Sequence, residues 1–357
     1  MPPQLPADVL ALFDAQHGVA TASHLTAIGF GDARITTAVG RGTIVRLHRG
    51  AYALATKWSD ANASQRHCLR LWAVQLAVPD AAGWVETAAL VWRLPVADIP
   101  ALPVIARSPD NGHRVAGATV CRLEVGDCVV LRHGLTISTI GMTTVAIAAK
   151  ADLTAALITV DAALRRGVAF DELVATAQAL PAHRGRERAT RAVEAGDPAS
   201  ESALESISRG GMIVAGLPMP LCNVVIRLGN RWYRVDFLWM ELGVVGECDG
   251  KLKYADAASV ANVLWREKRR HEQIEESGLR IARWGYAEAV DGGAAMVKRI
   301  QLAIDSQARA GFTWPTGVRV EVPVLPGTLL PTRVVAEVRR LRVLGFPIRI
   351  TDEARAA

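Results

Sequence analysis

The residues of this chain best suited to chemistry are three carboxylates in the stretch 231–254, namely Asp236, Glu247 and Asp249. Two β-rich runs flank a short connection there, and this pattern predicts a hairpin. If the turn is centred on residues 241–242, Asp236 lies directly opposite Glu247, with Cβ atoms roughly 4.5–5.5 Å apart. Asp249 then shares the face of Glu247, because side chains alternate along a strand.

Such a convergence of like charges requires a compensating cation. Like charges placed opposite each other destabilise a sheet, and a hard divalent metal ion with oxygen ligands would relieve the repulsion. The alternative needs no metal: Arg234 pairs with Asp249 across the hairpin, and the acids form a surface network. The spacing alone leaves both interpretations open.

Neighbouring elements predict an α/β unit over residues 198–310 that would position these acids. A helix starting at Pro198 carries Glu201 and Glu205, which are four residues apart and therefore share one face. A second helix over 261–277 follows the hairpin and precedes a short strand, so a mixed sheet is expected. The second helix also carries basic residues that we expect to follow a nucleic-acid backbone: Arg266, Lys268, Arg269 and Arg270.

Residues 1–58 are predicted to form a helix-turn-helix followed by a β-wing. The third helix covers 33–39, and the strands of the wing surround Arg49 and Gly50. This arrangement presents the last helix to the major groove and the wing to the DNA backbone. The side chains expected to contact DNA are Arg34, Thr36, Thr37 and Arg41 on the helix and Arg46 and Arg49 on the wing. The alternative is an ordinary helical domain with surface arginines.

We predict three further segments in the rest of the chain. Residues 59–181 form an α+β middle domain without metal-ligand or nucleophile spacing. Residues 182–197 are charged and free of large apolar side chains, so we expect a flexible linker. Residues 311–357 form a C-terminal extension with a basic helix and a terminal strand. The predicted class is therefore a multi-domain α/β protein.

Composition points to a nucleic acid as the main partner. The 357 residues carry a net charge of +6, and half of them are hydrophobic. A positive balance favours an anionic partner. Five cysteines, odd in number and without a CxxC pair, argue against a disulfide framework or structural zinc and predict a reducing cytoplasm. No apolar run reaches membrane-spanning length, and we expect no signal peptide and no membrane partner.

Four segments in the first half carry a family resemblance. They are Val19-Ala-Thr-Ala-Ser-His-Leu, Ile44-Val-Arg-Leu-His-Arg-Gly-Ala-Tyr-Ala-Leu, Glu86-Thr-Ala-Ala-Leu-Val-Trp-Arg-Leu-Pro and Asp161-Ala-Ala-Leu-Arg-Arg-Gly. In this order and spacing, residues 1–180 resemble the AbiEi-type antitoxins, cytoplasmic winged-helix proteins of bacterial toxin–antitoxin and phage-defence loci. The resemblance implies promoter binding by the winged helix, with a cognate toxin or defence protein as a candidate partner.

A second resemblance covers residues 198–290. Its carriers are Glu201-Ser-Ala-Leu-Glu-Ser, Arg234-Val-Asp-Phe-Leu-Trp, Val245-Gly-Glu-Cys-Asp-Gly-Lys-Leu-Lys-Tyr and Arg266-Glu-Lys-Arg-Arg. They resemble the PD-(D/E)XK nuclease superfamily near the very-short-patch repair endonucleases, and imply a restriction-endonuclease-like fold.

This resemblance implies a set of catalytic roles. Asp236 and Glu247 would hold Mg²⁺ or Mn²⁺, and Glu201 or Glu205 would be the helix acid. The family's lysine, two residues after the glutamate, helps to activate water, but Asp249 stands in its place. Asp249 is then a candidate for a further ligand of the metal ion. Lys251 or Lys253 would serve as the catalytic cation in place of the family's lysine.

Two functions from different classes follow. The leading hypothesis is a cytoplasmic DNA-binding protein with a Mg²⁺-dependent endonuclease domain, active in phage defence, a toxin–antitoxin system or DNA repair. The alternative is an antitoxin-like transcriptional repressor whose nuclease-like domain only binds. RNA as the substrate is a third hypothesis, and a homodimer is a candidate assembly.

Overall fold

The computed structural model describes residues 5–108, 114–123, 126–249, 257–290 and 292–352. The chain divides into two compact units, Met1–Ile147 and Ala148–Ala357. Both mix helices with sheets, so the predicted multi-domain α/β class is confirmed. Within the described residues, no helix is both long enough and apolar enough to span a membrane.

The first unit begins with the predicted winged helix. Its elements are α1 (Ala7–Ala15), β1 (Val19–Thr21), α2 (Ala22–Ala27), α3 (Asp32–Gly40), β2 (Ile44–His48) and β3 (Ala51–Leu54). The three helices meet in one apolar core through Phe13, Leu25 and Ile35. Strands β2 and β3 form the antiparallel wing around Arg49 and Gly50. The turn needs φ of +80° at Gly50, which glycine adopts without strain.

A second layer of helices and strands completes the first unit. Its elements are α4 (Ala55–Asp60), α5 (Ala63–Ala77), β4 (Ala82–Gly83), α6 (Val85–Trp92), β5 (Val104–Arg107), β6 (Thr119–Arg122), β7 (Val129–Arg132) and β8 (Leu135–Ser138). The strands form one sheet in the order β6-β5-β4-β8-β7. Helices α5 and α6 contribute Leu71 and Ala88 to the core formed with Ile105 and Ile137. This α+β layer agrees with the predicted content of the middle region.

Helix α7 (Ile140–Lys150) crosses the division, and the second unit contains the remaining elements. They are α8 (Leu153–Arg165), α9 (Phe170–Ala179), α10 (Arg186–Ala195), α11 (Ala203–Val214), β9 (Leu221–Leu228), β10 (Arg231–Trp239), β11 (Val244–Asp249), α12 (Ala257–Glu276), β12 (Arg280–Gly285), α13 (Tyr286–Val290), α14 (Ala294–Ala310), β13 (Val318–Val324), α15 (Thr332–Val343) and β14 (Ile348–Asp352).

These strands form the predicted mixed sheet. Their order in the sheet is β12-β11-β10-β9-β13-β14. Strands β9, β10 and β11 are antiparallel neighbours, whereas β11 and β12 run parallel with α12 between them in the chain. One core contains Ile274 of α12 and Leu341 of α15. A second core contains Ile207 of α11 and Ile300 of α14. The sheet is therefore sandwiched between two helical layers.

The middle of the chain differs from the predicted boundary at residue 181. Helix α8, assigned from the sequence to the middle domain, belongs to the second unit. Its Asp161 carboxylate accepts a 2.8 Å hydrogen bond from the Arg209 guanidinium of α11, and both side chains are fully buried. Ile158 of α8 lies in the same apolar core as Leu204. Apolar and ionic contacts therefore hold this helix against α11.

The segment 182–197 also differs from the predicted flexible linker. Residues 186–195 form α10, which buries Ala189 and Val193. After the helix, the Asp197 amide donates to Asp161 at 2.7 Å, and Arg333 donates to the Gly196 carbonyl at 2.8 Å. Small buried side chains and backbone hydrogen bonds anchor this segment. The sequence did not predict this packing, because the segment has no large apolar residues.

The predicted extension 311–357 instead completes the sheet. Strand β13 pairs with β9 and buries Val318, Val320 and Val322, while β14 lies beside β13 in parallel. The nuclease-like unit predicted to end at residue 310 is therefore too short, because two of its strands lie beyond that residue.

Candidate functional site

Asp236 and Glu247 directly follow the last pair of the β10–β11 ladder. Phe237 pairs with Gly246 and Trp239 with Val244, and the ladder ends at the first of these two pairs. A single helical turn over residues 240–242 connects the strands. The predicted hairpin is confirmed, and Asp236 interacts electrostatically with Glu247. The direct pairing of the two acids stays a prediction.

Glu247 is the most deeply buried acid of the cluster, with 4% of its surface exposed. Its Oε2 accepts a hydrogen bond from the Arg270 guanidinium of α12, whereas its buried Oε1 has no hydrogen-bond partner. Burial raises the pKa of Glu247 to about 7, against the opposing effect of Arg270. One oxygen of a buried carboxylate is thus left for a ligand.

Asp236 lies where the sheet ladder is interrupted. Its Oδ2 accepts a 2.8 Å hydrogen bond from the Cys248 amide of β11. Val235 packs in the core beside α12, but Phe237 packs in the core beside α11, so strict side-chain alternation breaks at Asp236. On β9, Asn223 has the left-handed φ of +47°, and β9–β10 pairing skips these two residues.

Of the two candidate helix acids, Glu205 lies in helix α11, and the predicted sharing of one helical face with Glu201 is wrong. Helix α11 begins at Ala203 with Ser202 as its N-cap, so Glu201 precedes the helix. Glu205 is buried and accepts 2.7 Å hydrogen bonds from the Glu201 amide and the Ser202 hydroxyl. Burial raises the pKa of Glu205. Asn223 donates to the same carboxylate, a contact that sequence reasoning missed.

The two remaining predicted acids each pair with an arginine. Exposed Glu201 forms an ion pair with Arg234, and exposed Asp249 forms one with Arg283 of β12. The pairing of Arg234 with Asp249, considered as an alternative from the sequence, is therefore absent among the described residues. Arg283 also stands beside Glu247 in the parallel β11–β12 register. Arginines thus supply part of the charge compensation.

Two residues of α12 join the cluster without having been predicted. Ligand atoms of Glu247, Glu267 and His271 all lie within 4.8 Å of one another. His271 Nε2 is 3.5 Å from Glu247 Oε2, and Arg283 lies 3.3 Å from both Glu267 and His271. The signal available in the sequence was the spacing of Glu267 and His271, four residues apart on one helical face.

The residues present fit a divalent cation. Asp236 and Glu247 offer carboxylate oxygens from neighbouring strands, and Glu247 Oε1 is buried without a partner. Oxygen donors of this kind suit Mg²⁺ or Mn²⁺. Lys251 and Lys253, the candidate catalytic cations, lie outside the described residues.

The basic residues predicted on α12 occupy different environments. Lys268 is exposed and lies 3.8 Å from Glu272. The exposed Arg269 guanidinium lies 5.0 Å from the Trp265 ring centroid. Arg270 differs from the prediction because it points inward to Glu247 and to the Arg234 carbonyl. The side chain of Arg266 lies outside the described part of the chain.

The winged helix exposes every side chain predicted to contact DNA. Helix α3 buries Ile35 and Ala38 and leaves its opposite face to solvent. The exposed residues are Arg34, Thr36, Thr37 and Arg41, together with Arg46 and Arg49 of the wing. Arg34 lies 4.7 Å from the Phe30 ring centroid, and the Thr37 hydroxyl donates to the Ala33 carbonyl at 2.8 Å.

Comparison with known proteins identifies the N-terminal part. Residues 8–55 match the family model of the AbiEi antitoxin transcriptional regulators. Two curated relatives are 33% identical over 128 residues: uncharacterized protein MT2308 and uncharacterized protein Rv2248, from Mycobacterium tuberculosis strains CDC 1551 / Oshkosh and H37Rv. The match covers 35% of this chain and 46% of each relative, so the chain spans about half the length of these relatives.

Among solved structures, the RV2827C protein from Mycobacterium tuberculosis is similar, with a TM-score of 0.36 and 16% identity. The similarity covers 61% of this chain and 85% of that protein.

Proposed function

We propose that this chain is a DNA-binding protein that contacts the duplex through its winged helix. The exposed face of α3 and the two wing arginines support this function, as does the AbiEi regulator match over residues 8–55. An exposed recognition helix fits the major groove, and wing arginines suit the flanking phosphates. Binding of the 357-residue protein to labelled duplexes at low salt tests the proposal, and failure to bind any duplex would contradict it.

We further propose that the second unit is a Mg²⁺- or Mn²⁺-dependent DNA endonuclease. The single observation that carries this proposal is the Asp236–Glu247 pair, with the orphaned buried oxygen of Glu247. The order of elements from α11 through β9, β10 and β11 to α12 and β12 also agrees with the nuclease resemblance. The burial of Glu205 on α11 supports its proposed role as the helix acid.

Each residue would have a distinct task. Asp236 and Glu247 would hold the ion, which supplies charge stabilisation at the scissile phosphate and a water of lowered pKa. The Cys248 amide fixes the Asp236 carboxylate through its 2.8 Å hydrogen bond. Arg270 would neutralise part of the Glu247 charge from the α12 side until the ion binds. Lys251 or Lys253 would neutralise charge on the phosphate in the transition state.

A cleavage assay tests this activity. The purified chain is incubated with plasmid, linear duplex and single-stranded DNA and with a structured RNA, in Mg²⁺, Mn²⁺ or EDTA. We expect metal-dependent DNA cleavage, lost in Asp236→Asn and retained in the exposed-acid control Glu276→Gln. Cleavage that persists in EDTA or in the Asp236→Asn protein would reject the proposed site, and cleavage of RNA alone would reject DNA as substrate.

A transcriptional repressor without nuclease activity is the second candidate. The observation that favours it is the charge compensation by arginines, because Arg270 already contacts Glu247 and Arg283 pairs with Asp249. In this function the second unit would serve as a binding platform, with a cognate toxin and a homodimer as candidate partners. Sequence-specific duplex binding by a protein that neither binds metal nor cleaves DNA would favour the repressor.

A further inference from the structure

A cleft of about 650 Å³ lies within the first unit, far larger than a single water requires. Its walls come from both parts of that unit: His17 belongs to the winged helix, and Lys57, Trp72, Val91 and His133 belong to the second layer. Clefts of 300–1,000 Å³ commonly hold small molecules. We propose that this cleft binds a small planar organic anion.

The apolar residues that line the cleft suit a flat apolar group. Leu90, Val91 and Leu135 are buried and line it. Beside them the Trp72 ring stacks with the His17 ring, with centroids 3.9 Å apart and planes inclined by 19°. Aromatic rings and aliphatic side chains together select a planar hydrophobic ligand.

The rim carries more positive than negative charge. Lys57 and Arg93 bring two permanent cations to the lining, and Asp60 brings one carboxylate. The exposed imidazoles of His17 and His133 add hydrogen-bonding groups. Charge-assisted hydrogen bonds to a carboxylate are stronger than neutral ones, so an acidic group on the ligand is favoured.

Backbone strain concentrates at this cleft. His17, Arg93 and His133 adopt left-handed φ values of 59°, 57° and 49°, although none is glycine. Left-handed backbone is unfavourable for residues with a Cβ atom and clusters at ligand-binding positions. The three residues come from separate parts of the sequence, yet all of them line this one cleft.

The inference is independent of the proposed nuclease site, which lies in the other unit. Isothermal titration calorimetry of the full chain with 2-naphthoate tests it. Two probes serve as controls: 2-naphthamide keeps the planar ring but lacks the charge, and cyclohexanecarboxylate keeps the charge but lacks the planar ring. We expect 2-naphthoate to bind at least about tenfold more tightly than either, the equivalent of one favourable ionic or stacking contact.

Variants locate the binding. Lys57→Gln removes an exposed cation, and Trp72→Leu removes the aromatic wall; we expect each to weaken 2-naphthoate binding about tenfold. Arg122→Gln, exposed on β6 and absent from the lining, should bind like the wild type. Circular dichroism confirms folding, and Lys57→Gln carries the test if Trp72→Leu unfolds. Equal affinity for the three probes, no binding of 2-naphthoate, or unchanged binding by Lys57→Gln would overturn the proposal.

Discussion

Asp236 and Glu247 lie on neighbouring antiparallel strands beside the last pair of their ladder, and the Arg270 guanidinium contacts only one oxygen of the Glu247 carboxylate. Two acids held this close repel each other unless a cation intervenes. Arg270 supplies part of that compensation, and the unpartnered Glu247 oxygen is the atom to which we propose that a metal ion binds. If a metal ion neutralises the two acids, the nuclease proposal is favoured. If Arg270 alone neutralises them, the repressor is favoured.

Metal binding to this pair competes with the arginine. Replacing Arg270 with Gln removes a positive charge next to Glu247, so we expect Mn²⁺ affinity to rise by about tenfold, the effect of roughly 1.4 kcal/mol. Calorimetric titration of both proteins with Mn²⁺ measures the change. The exposed-arginine variant Arg299→Gln serves as the control, and lower affinity in Arg270→Gln would show that the arginine supports the site.

The wing should contact phosphates and contribute little to sequence preference. Replacing Arg46 and Arg49 with Ala should weaken binding to all duplexes and reduce the salt slope by about 2, one unit per phosphate contact. Fluorescence anisotropy at several salt concentrations measures this slope. Replacing Arg34 or Thr37 should instead change sequence preference. An unchanged slope in the double variant would mean that the wing does not lie on the DNA backbone.

The buried Asp161–Arg209 pair should be important for the stability of the second unit. Arg209→Met leaves the Asp161 carboxylate buried without its counterion, which costs about 3–5 kcal/mol. Guanidinium unfolding followed by circular dichroism measures the loss. Arg299→Met breaks the exposed pair with Glu288 and should cost roughly 0–1 kcal/mol. Similar losses in both variants would show that burial of the pair has no special role.

His67 should make the first unit less stable in acid. Burial, with a smaller effect of Arg70, lowers the pKa of its imidazole to about 4 from 6.5. The unfolded chain therefore binds more protons between these values, and folding stability is full above pH 6.5 and falls toward pH 4. The loss is about 3 kcal/mol.

Thermal unfolding of wild type and His67→Gln from pH 4.5 to 7.5 measures this contribution. The variant should show a flatter dependence over that interval, because glutamine does not titrate there. The exposed control His183→Gln should follow the wild type. If Tm depends on pH in the same way for wild type and His67→Gln, a group other than His67 causes the acid sensitivity.

Much of the fold followed from local patterns. The wing around Arg49 and the β10–β11 hairpin were predictable because alternating apolar residues fix the register of a strand pair. The predicted helix start at Pro198 is too early, because Ser202, with Glu205 three residues later, caps α11.

Contacts distant in sequence were not predictable. The position of α10 depends on Arg333, which is more than 130 residues away and donates to the Gly196 carbonyl. Arg270 points inward because of the position of α12 over the sheet. From the sequence alone, a basic residue on such a helix is expected to be exposed to solvent. The contact of Asn223 with Glu205 requires left-handed backbone within a strand, for which an Asn is only a weak signal.

The central claim is that Asp236 and Glu247 together hold a divalent metal ion. Differential scanning calorimetry with and without Mn²⁺ tests it most directly, because a ligand that binds only the folded state stabilises it by about 2.7 kcal/mol at a hundred times its Kd. We predict a raised Tm for wild type and for the exposed-acid control Glu276→Gln, and no Mn²⁺-dependent shift for Asp236→Asn. No shift in wild type, or an undiminished shift in Asp236→Asn, would contradict the claim.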